Sequence, residues 1–239
     1  MASSESFALR RGRRDTAGME LRGAYPADRA AALAGVPKST LHYWARRDVL
    51  IPSVSAERVK YWSYSDVVGV RTIAWLRATK TAADGHDIPR TAMTAVRRAL
   101  RQLDQLDLGL WSSDGVPNVA VERDGSIVLS PDTQPERPNG QELIDAPCLD
   151  VLRPFELNAA VRGPDLVRPR PRLRIVPGRL SGAPHVHETR IETQALAALA
   201  TRGMSAERIV RLYPVIEPAD VDDALDLERE LQPALVAAA

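Results

Sequence analysis

His185 and His187 stand two residues apart with Glu188 beside them, and on an extended strand that spacing turns both imidazoles to one side like a pair of zinc ligands. Nothing at matching spacing supplies the remaining ligands, so no metal site is expected. Asp220, Asp222 and Asp223 have the residue type of a nuclease carboxylate cluster. They follow Pro218 closely, where acids oppose the positive end of a helix dipole. The single cysteine, Cys148, follows a proline and lacks a basic neighbour to stabilise a thiolate. There is no glycine-rich phosphate loop and no Ser/His/Asp signature. The expectation is a non-enzyme with no catalytic residue and no cofactor. What remains is hydrogen-bonding and cationic chemistry. Ser39, His42, Tyr43 and Arg46 share one face of a short helical pattern, and Arg58 and Lys60 lie two apart on a strand-like run.

The elements that must position these residues can be read from the spacing. In YPADRAAALAGVPKSTLHYWARRDVLIP a helix over about 27–34 stops at Gly35, Val36-Pro37 turns the chain, and Lys38 or Ser39 starts a second helix capped by a Ser or Thr oxygen. Leu41, Trp44 and Ala45 form its buried face. Two short helices joined by a three-residue turn describe a helix-turn-helix whose second helix can enter the major groove. The run SAERVKYWSYSDVV adds a wing, and Ser65-Asp66 can cap a third helix carrying Val67, Val70, Ile73 and Leu76. Pro89 suits the first turn of a fourth, where Ala92, Val96, Ala99, Leu103 and Leu106 follow a heptad seam.

The 239 residues carry 32 Lys+Arg and 31 Asp+Glu, a net +1 that conceals a strong alternation. Residues 1–105 carry +8, 106–165 carry −7, 166–216 carry +6 and 217–239 carry −6. Such blocks suggest modules with different partners. The N-terminus has no apolar run of the signal-peptide kind, and no stretch reaches the ~20 apolar residues of a membrane span. A cytoplasmic protein without membrane contact is expected. Seven of the eleven aromatics fall between Tyr25 and Trp75, marking a small N-terminal core. Val119 and Val121 face Ile127 and Leu129 around Asp124-Gly125, a hairpin signal, and Leu173, Ile175 and Val176 could extend that sheet. Prolines from Pro131 to Pro171 mark a linker. The expected fold is mainly α with small β. It comprises a basic flexible arm over 1–23 with Arg10, Arg11, Arg13 and Arg14, a winged helix-turn-helix over 24–107, a short hairpin and Pro-rich acidic linker over 108–167, and a C-terminal three-helix, helix-turn-helix-like domain over 168–239.

The N-terminal residues resemble the MerR family of winged-helix DNA-binding proteins. The resemblance rests on Tyr25, Ala34-Gly35-Val36, Thr40-Leu41-His42-Tyr43, Leu50-Ile51-Pro52, and Tyr61-Trp62-Ser63-Tyr64 before Asp66-Val67. It implies that His42 and Tyr43 face DNA from the recognition helix and that 57–62 is a phosphate-contacting wing. The expected DNA-binding set is Lys38, Ser39, Thr40, His42, Tyr43, Arg46 and Arg47 on the helix, with Arg58, Lys60 and Trp62 on the wing. The family usually has Arg at the positions of His42 and Trp62. It also dimerises through a long helix, whereas here the seam runs only about two turns past Leu100 before Gly109, so a homodimer must be built differently.

In the C-terminal part, Thr193 and Ser205 can cap two short helices and Pro218 opens a third. Ile175-Val176-Pro177-Gly178, Gly182-Ala183-Pro184, Thr189-Arg190-Ile191, Arg202-Gly203-Met204-Ser205, Leu212-Tyr213-Pro214 and Val221 to Leu225 resemble a bacterial antitoxin domain paired with PIN-like toxins. The combination looks like the long VapB-type antitoxins. It implies an antitoxin that neutralises a cognate PIN-like ribonuclease and represses its own operon on operator DNA. The alternative is a MerR-like transcriptional regulator that senses a small ligand and has no toxin partner.

Overall fold

Gly35 sits at φ 68° just past the end of the first helix and receives the backbone that a side chain would exclude. A Cβ built there would lie 2.7 Å from the Gly163 nitrogen, more than a hundred residues further along the chain. The computed structural model describes residues 23–81, 85–105, 119–121, 124–129, 152–158 and 161–232. Among these are seven helices and five two-stranded antiparallel sheets, a mainly α fold with small β. The arginine-rich stretch 10–14, Cys148 and Leu106 lie outside the described residues.

Strand β1 (Tyr25–Pro26) leads into α1 (Ala27–Ala34) and α2 (Lys38–Arg46). β2 (Tyr61–Trp62) returns beside β1 with Tyr25 opposite Trp62, and α3 (Tyr64–Arg77) follows. The pair β3 (Lys80–Thr81) and β4 (Asp87–Ile88) precedes α4 (Met93–Gln105). Pro89 therefore stands ahead of α4 rather than in its first turn. Ser63, not Ser65, caps α3 through a reciprocal box in which Ser63 Oγ accepts from the Asp66 N–H and Asp66 accepts from the Ser63 N–H. The cap of α2 is Pro37, with no side-chain bond.

The hairpin β5 (Val119–Val121) and β6 (Ile127–Leu129) forms around Asp124-Gly125 in the expected register. It folds back on α4, against which β6 packs. The buried hydroxyl of Thr91 donates to Gly125 O at 2.9 Å and holds the turn in place. Val96, Ala99 and Leu103 of the heptad seam are buried within the chain.

After β7 (Phe155–Asn158) and β8 (Val161–Gly163), β9 (Leu173–Arg174) pairs with β10 (His185–Val186) instead of extending the earlier hairpin. Helices α5 (Thr193–Thr201), α6 (Ala206–Leu212) and α7 (Pro218–Leu231) complete the described chain, with Leu196, Ile209, Val221, Leu227 and Leu231 buried among them.

The two ends of the protein share one hydrophobic core. Arg71 of α3 is fully buried and donates to the carbonyls of Pro164 (2.7 Å), Arg153 (2.7 Å) and Gly163 (2.8 Å). Arg29 of α1 forms a two-pronged ion pair with Glu228 of α7, both bonds 2.8 Å, and the Thr193 hydroxyl donates to the same carboxylate. The Tyr25 hydroxyl donates to Gly182 O at 2.7 Å, and that of Tyr64 to Leu166 O at 2.9 Å. Burial pushes both phenols upward, Tyr64 to about 12.

The acids of α7 are largely consumed within the chain. Arg170 pairs with Asp226 and Glu230, while Arg172 pairs with Glu217 and Asp220. The +6 and −6 blocks thus meet each other.

His185 is fully buried. Its Nδ1 lies 2.9 Å from Ala183 O and its Nε2 has no partner, so the neutral ring donates from Nδ1. Desolvation holds its pKa below the ordinary value of 6.5.

Arg71→Leu leaves three carbonyls without that donor, and a loss of about 3 kcal/mol or more in urea-unfolding stability is expected. His185 yields a pH dependence. An unfolded chain takes up its proton near pH 6.5 while the folded ring resists it, so stability falls as pH drops below about 6.5. Urea midpoints measured from neutral to mildly acidic pH should show a shallower decline in His185→Gln.

Candidate nucleic-acid interface

Helix α2 buries Leu41, Trp44 and Ala45 against α1 and the rest of the N-terminal core, which fixes the residues it turns outward. Ser39, Tyr43, Arg46 and Arg47 are exposed, and Lys38, Thr40 and His42 are half-buried. The Arg47 guanidinium lies over the Tyr43 ring, 5.7 Å from its centroid, a cation–π contact one turn along the helix. Arg97 of α4 donates to Arg47 O at 3.2 Å, steadying the helix end. Lys38 is ion-paired to Asp28 of α1 at 2.5 Å.

The wing lies beside this face. Ser55 and Tyr61 exchange backbone hydrogen bonds of 3.0 and 3.1 Å and close a loop over 56–60. Ser55 Oγ donates to Val59 O, while Lys60 Nζ donates to Ala56 O and Glu57 O. Lys60 therefore braces the loop from within, and Arg58 extends from its tip into solvent. The loop's roots are tied by the buried Asp66, whose Oδ2 accepts from Ser53 N (2.8 Å), Ser53 Oγ (2.7 Å) and Ser63 N (2.8 Å).

Helix and wing form one electrostatic surface. His42 has its pKa lowered first by desolvation and then by Lys38, Lys60 and Arg46, with Asp28 opposing. At neutral pH the ring is uncharged, offering one donor and one acceptor. Four of the eight exposed large hydrophobics among the described residues, Tyr43, Val54, Val59 and Tyr61, belong to this helix and wing.

The structure places Lys38, Ser39, Thr40, His42, Tyr43, Arg46 and Arg47 on α2 and its C-cap, and Arg58 and Lys60 on the wing, with Lys60 near enough to act on His42. Trp62 is corrected. Alternation along β2 turns Tyr61 outward at 38% exposure and Trp62 inward at 0%, so Trp62 is a core residue and Tyr61 is the aromatic available to a ligand. The sequence reading missed the role of Asp28, which lies ten residues from Lys38 with no periodic signal. It also missed the box joining Ser63 and Asp66, although Ser-x-x-Asp before an apolar run is its usual pattern.

Comparison with known families finds a match at each end of the molecule. Residues 25–82 match the model of the MerR HTH family of regulatory proteins, and residues 174–227 match a protein family of unknown function, DUF433. The chain accordingly carries a MerR-type helix-turn-helix domain at its N-terminus and a DUF433 domain at its C-terminus. No curated protein and no solved structure matches the chain. Among the described residues, no helix is long and apolar enough to cross a membrane.

Arg47→Ala and Arg58→Ala should each weaken binding to duplex DNA of any sequence and reduce the log–log salt slope by about 0.9, measured by fluorescence anisotropy over a salt series. Trp62→Ala should behave differently, lowering folding stability by about 3–5 kcal/mol.

Proposed function

We propose that this protein is the antitoxin of a toxin–antitoxin pair. It binds operator DNA through α2 and the wing to repress its own operon, and it neutralises a PIN-like ribonuclease through the remainder of the chain. The observation that carries the reading is the joining of a MerR-type recognition surface to a DUF433 domain on one polypeptide. Lys38, Ser39, Thr40, His42, Tyr43, Arg46 and Arg47 meet bases and phosphates in the major groove, and Arg58 and Lys60 meet the flanking backbone. The DNA-binding unit spans 24–107 and the antitoxin unit 168–239, joined through 108–167. One short helix reads few base pairs, so two copies bind two half-sites. Their contact lies away from the apolar face of α4, which β6 covers.

The reading is tested by coexpressing the chain with the nuclease encoded beside it. Copurification, relief of growth arrest and retention of the upstream DNA are the expected results. DNA retention without neutralisation would leave a regulator and remove the antitoxin role.

A further inference from the structure

Asp28 occupies the first turn of α1, a position where an acid ordinarily does no more than oppose the helix dipole. Its carboxylate instead reaches across the turn of the helix-turn-helix to Lys38, the first residue of α2, with Oδ1 and Nζ 2.5 Å apart. The side chains remain 49% and 37% exposed, so the pair lies at the surface and adds little to folding stability. It is placed on the side of α2 that presents Ser39, His42 and Arg46, and the same carboxylate acts on His42 against Lys38, Lys60 and Arg46. Among the cations assigned to the recognition surface, Lys38 has a carboxylate partner, Lys60 donates to wing carbonyls, and Arg47 lies over the Tyr43 ring.

We propose that Asp28 is a counter-charge that withholds Lys38 from the DNA backbone and so lowers affinity for duplex of arbitrary sequence. This rests on the DNA-binding reading given above and assigns Asp28 a positioning and discriminating role within it. Phosphate contacts supply affinity without sequence information. A lysine held by Asp28 contributes little to that sequence-independent attraction. It is released only where the remaining contacts of α2 and the wing bring a phosphate close enough to compete for the ammonium.

The test uses the full chain and a random-sequence duplex of about three helical turns, titrated over a salt series. Asp28→Asn should bind this duplex several-fold more tightly than the unmodified protein, with a salt slope steeper by up to about 0.9. The gain should vanish in the Lys38→Ala background, because there is no ammonium left to release. An unaltered affinity and slope in Asp28→Asn would overturn the proposal. So would an equal gain in the Lys38→Ala background, which would reduce Asp28 to one negative charge among others. Matching circular dichroism melts of the four proteins establish that folding is not what changes. Failure of all four to retain any duplex overturns the DNA-binding reading together with this one, whereas normal retention with a neutral Asp28→Asn overturns this one alone.

Discussion

A guanidinium with no exposure to water must be satisfied by the protein, and the way Arg71 is satisfied joins the distant parts of this chain. Its donors meet carbonyls from Arg153, Gly163 and Pro164, drawing the strand pair β7–β8, which lies within the stretch expected to be a linker, onto α3 of the N-terminal module. Once Gly163 is held there, its backbone lies against Gly35 at the turn of the helix-turn-helix. The segment that follows then runs past Tyr64 and Tyr25, each of which donates to one of its carbonyls. The Arg29–Glu228 pair closes the arrangement from the other side. A buried ion pair of this sort gives little net stability over an apolar substitute, yet losing either partner strands a charge.

The recognition surface depends on the same economy of polar groups. Asp66 is near the start of α3, and by gathering Ser53 and Ser63 it fixes both roots of the wing to the helix that also carries Arg71. Wing and C-terminal part are therefore both tied to α3. The charge alternation along the sequence has a matching explanation. The basic run around Arg170 and Arg172 neutralises acids of α7 and of its cap, while a separate group of cations, Lys38, Arg46, Arg47, Arg58 and Lys60, lies on α2 and the wing.

Much of this was legible in the sequence where the signal is local. Gly35 ending α1, the buried stripe of Leu41, Trp44 and Ala45, the Asp124-Gly125 hairpin and Pro218 opening α7 all follow from turn chemistry and periodicity. The illegible parts are those decided at long range. Strand β9 finds β10 because His185-Val186 returns beside it, and nothing in the run Leu173 to Val176 names that partner. Trp62 and Tyr61 are both aromatic at a wing, and which one faces inward is settled by the pairing with Tyr25. No local pattern marks Arg29 or Arg71 as buried, because their acceptors lie more than eighty residues away.

The hairpin over α4 changes how the molecule responds to its own abundance. Where an apolar helical face is covered by a second subunit, the cover comes off on dilution, following mass action. Here Val96, Ala99 and Leu103 are buried within a single chain and the hairpin is tethered to the helix it covers, so its effective concentration is set by the length of the intervening chain and not by the number of copies in solution. The face stays shielded at any expression level.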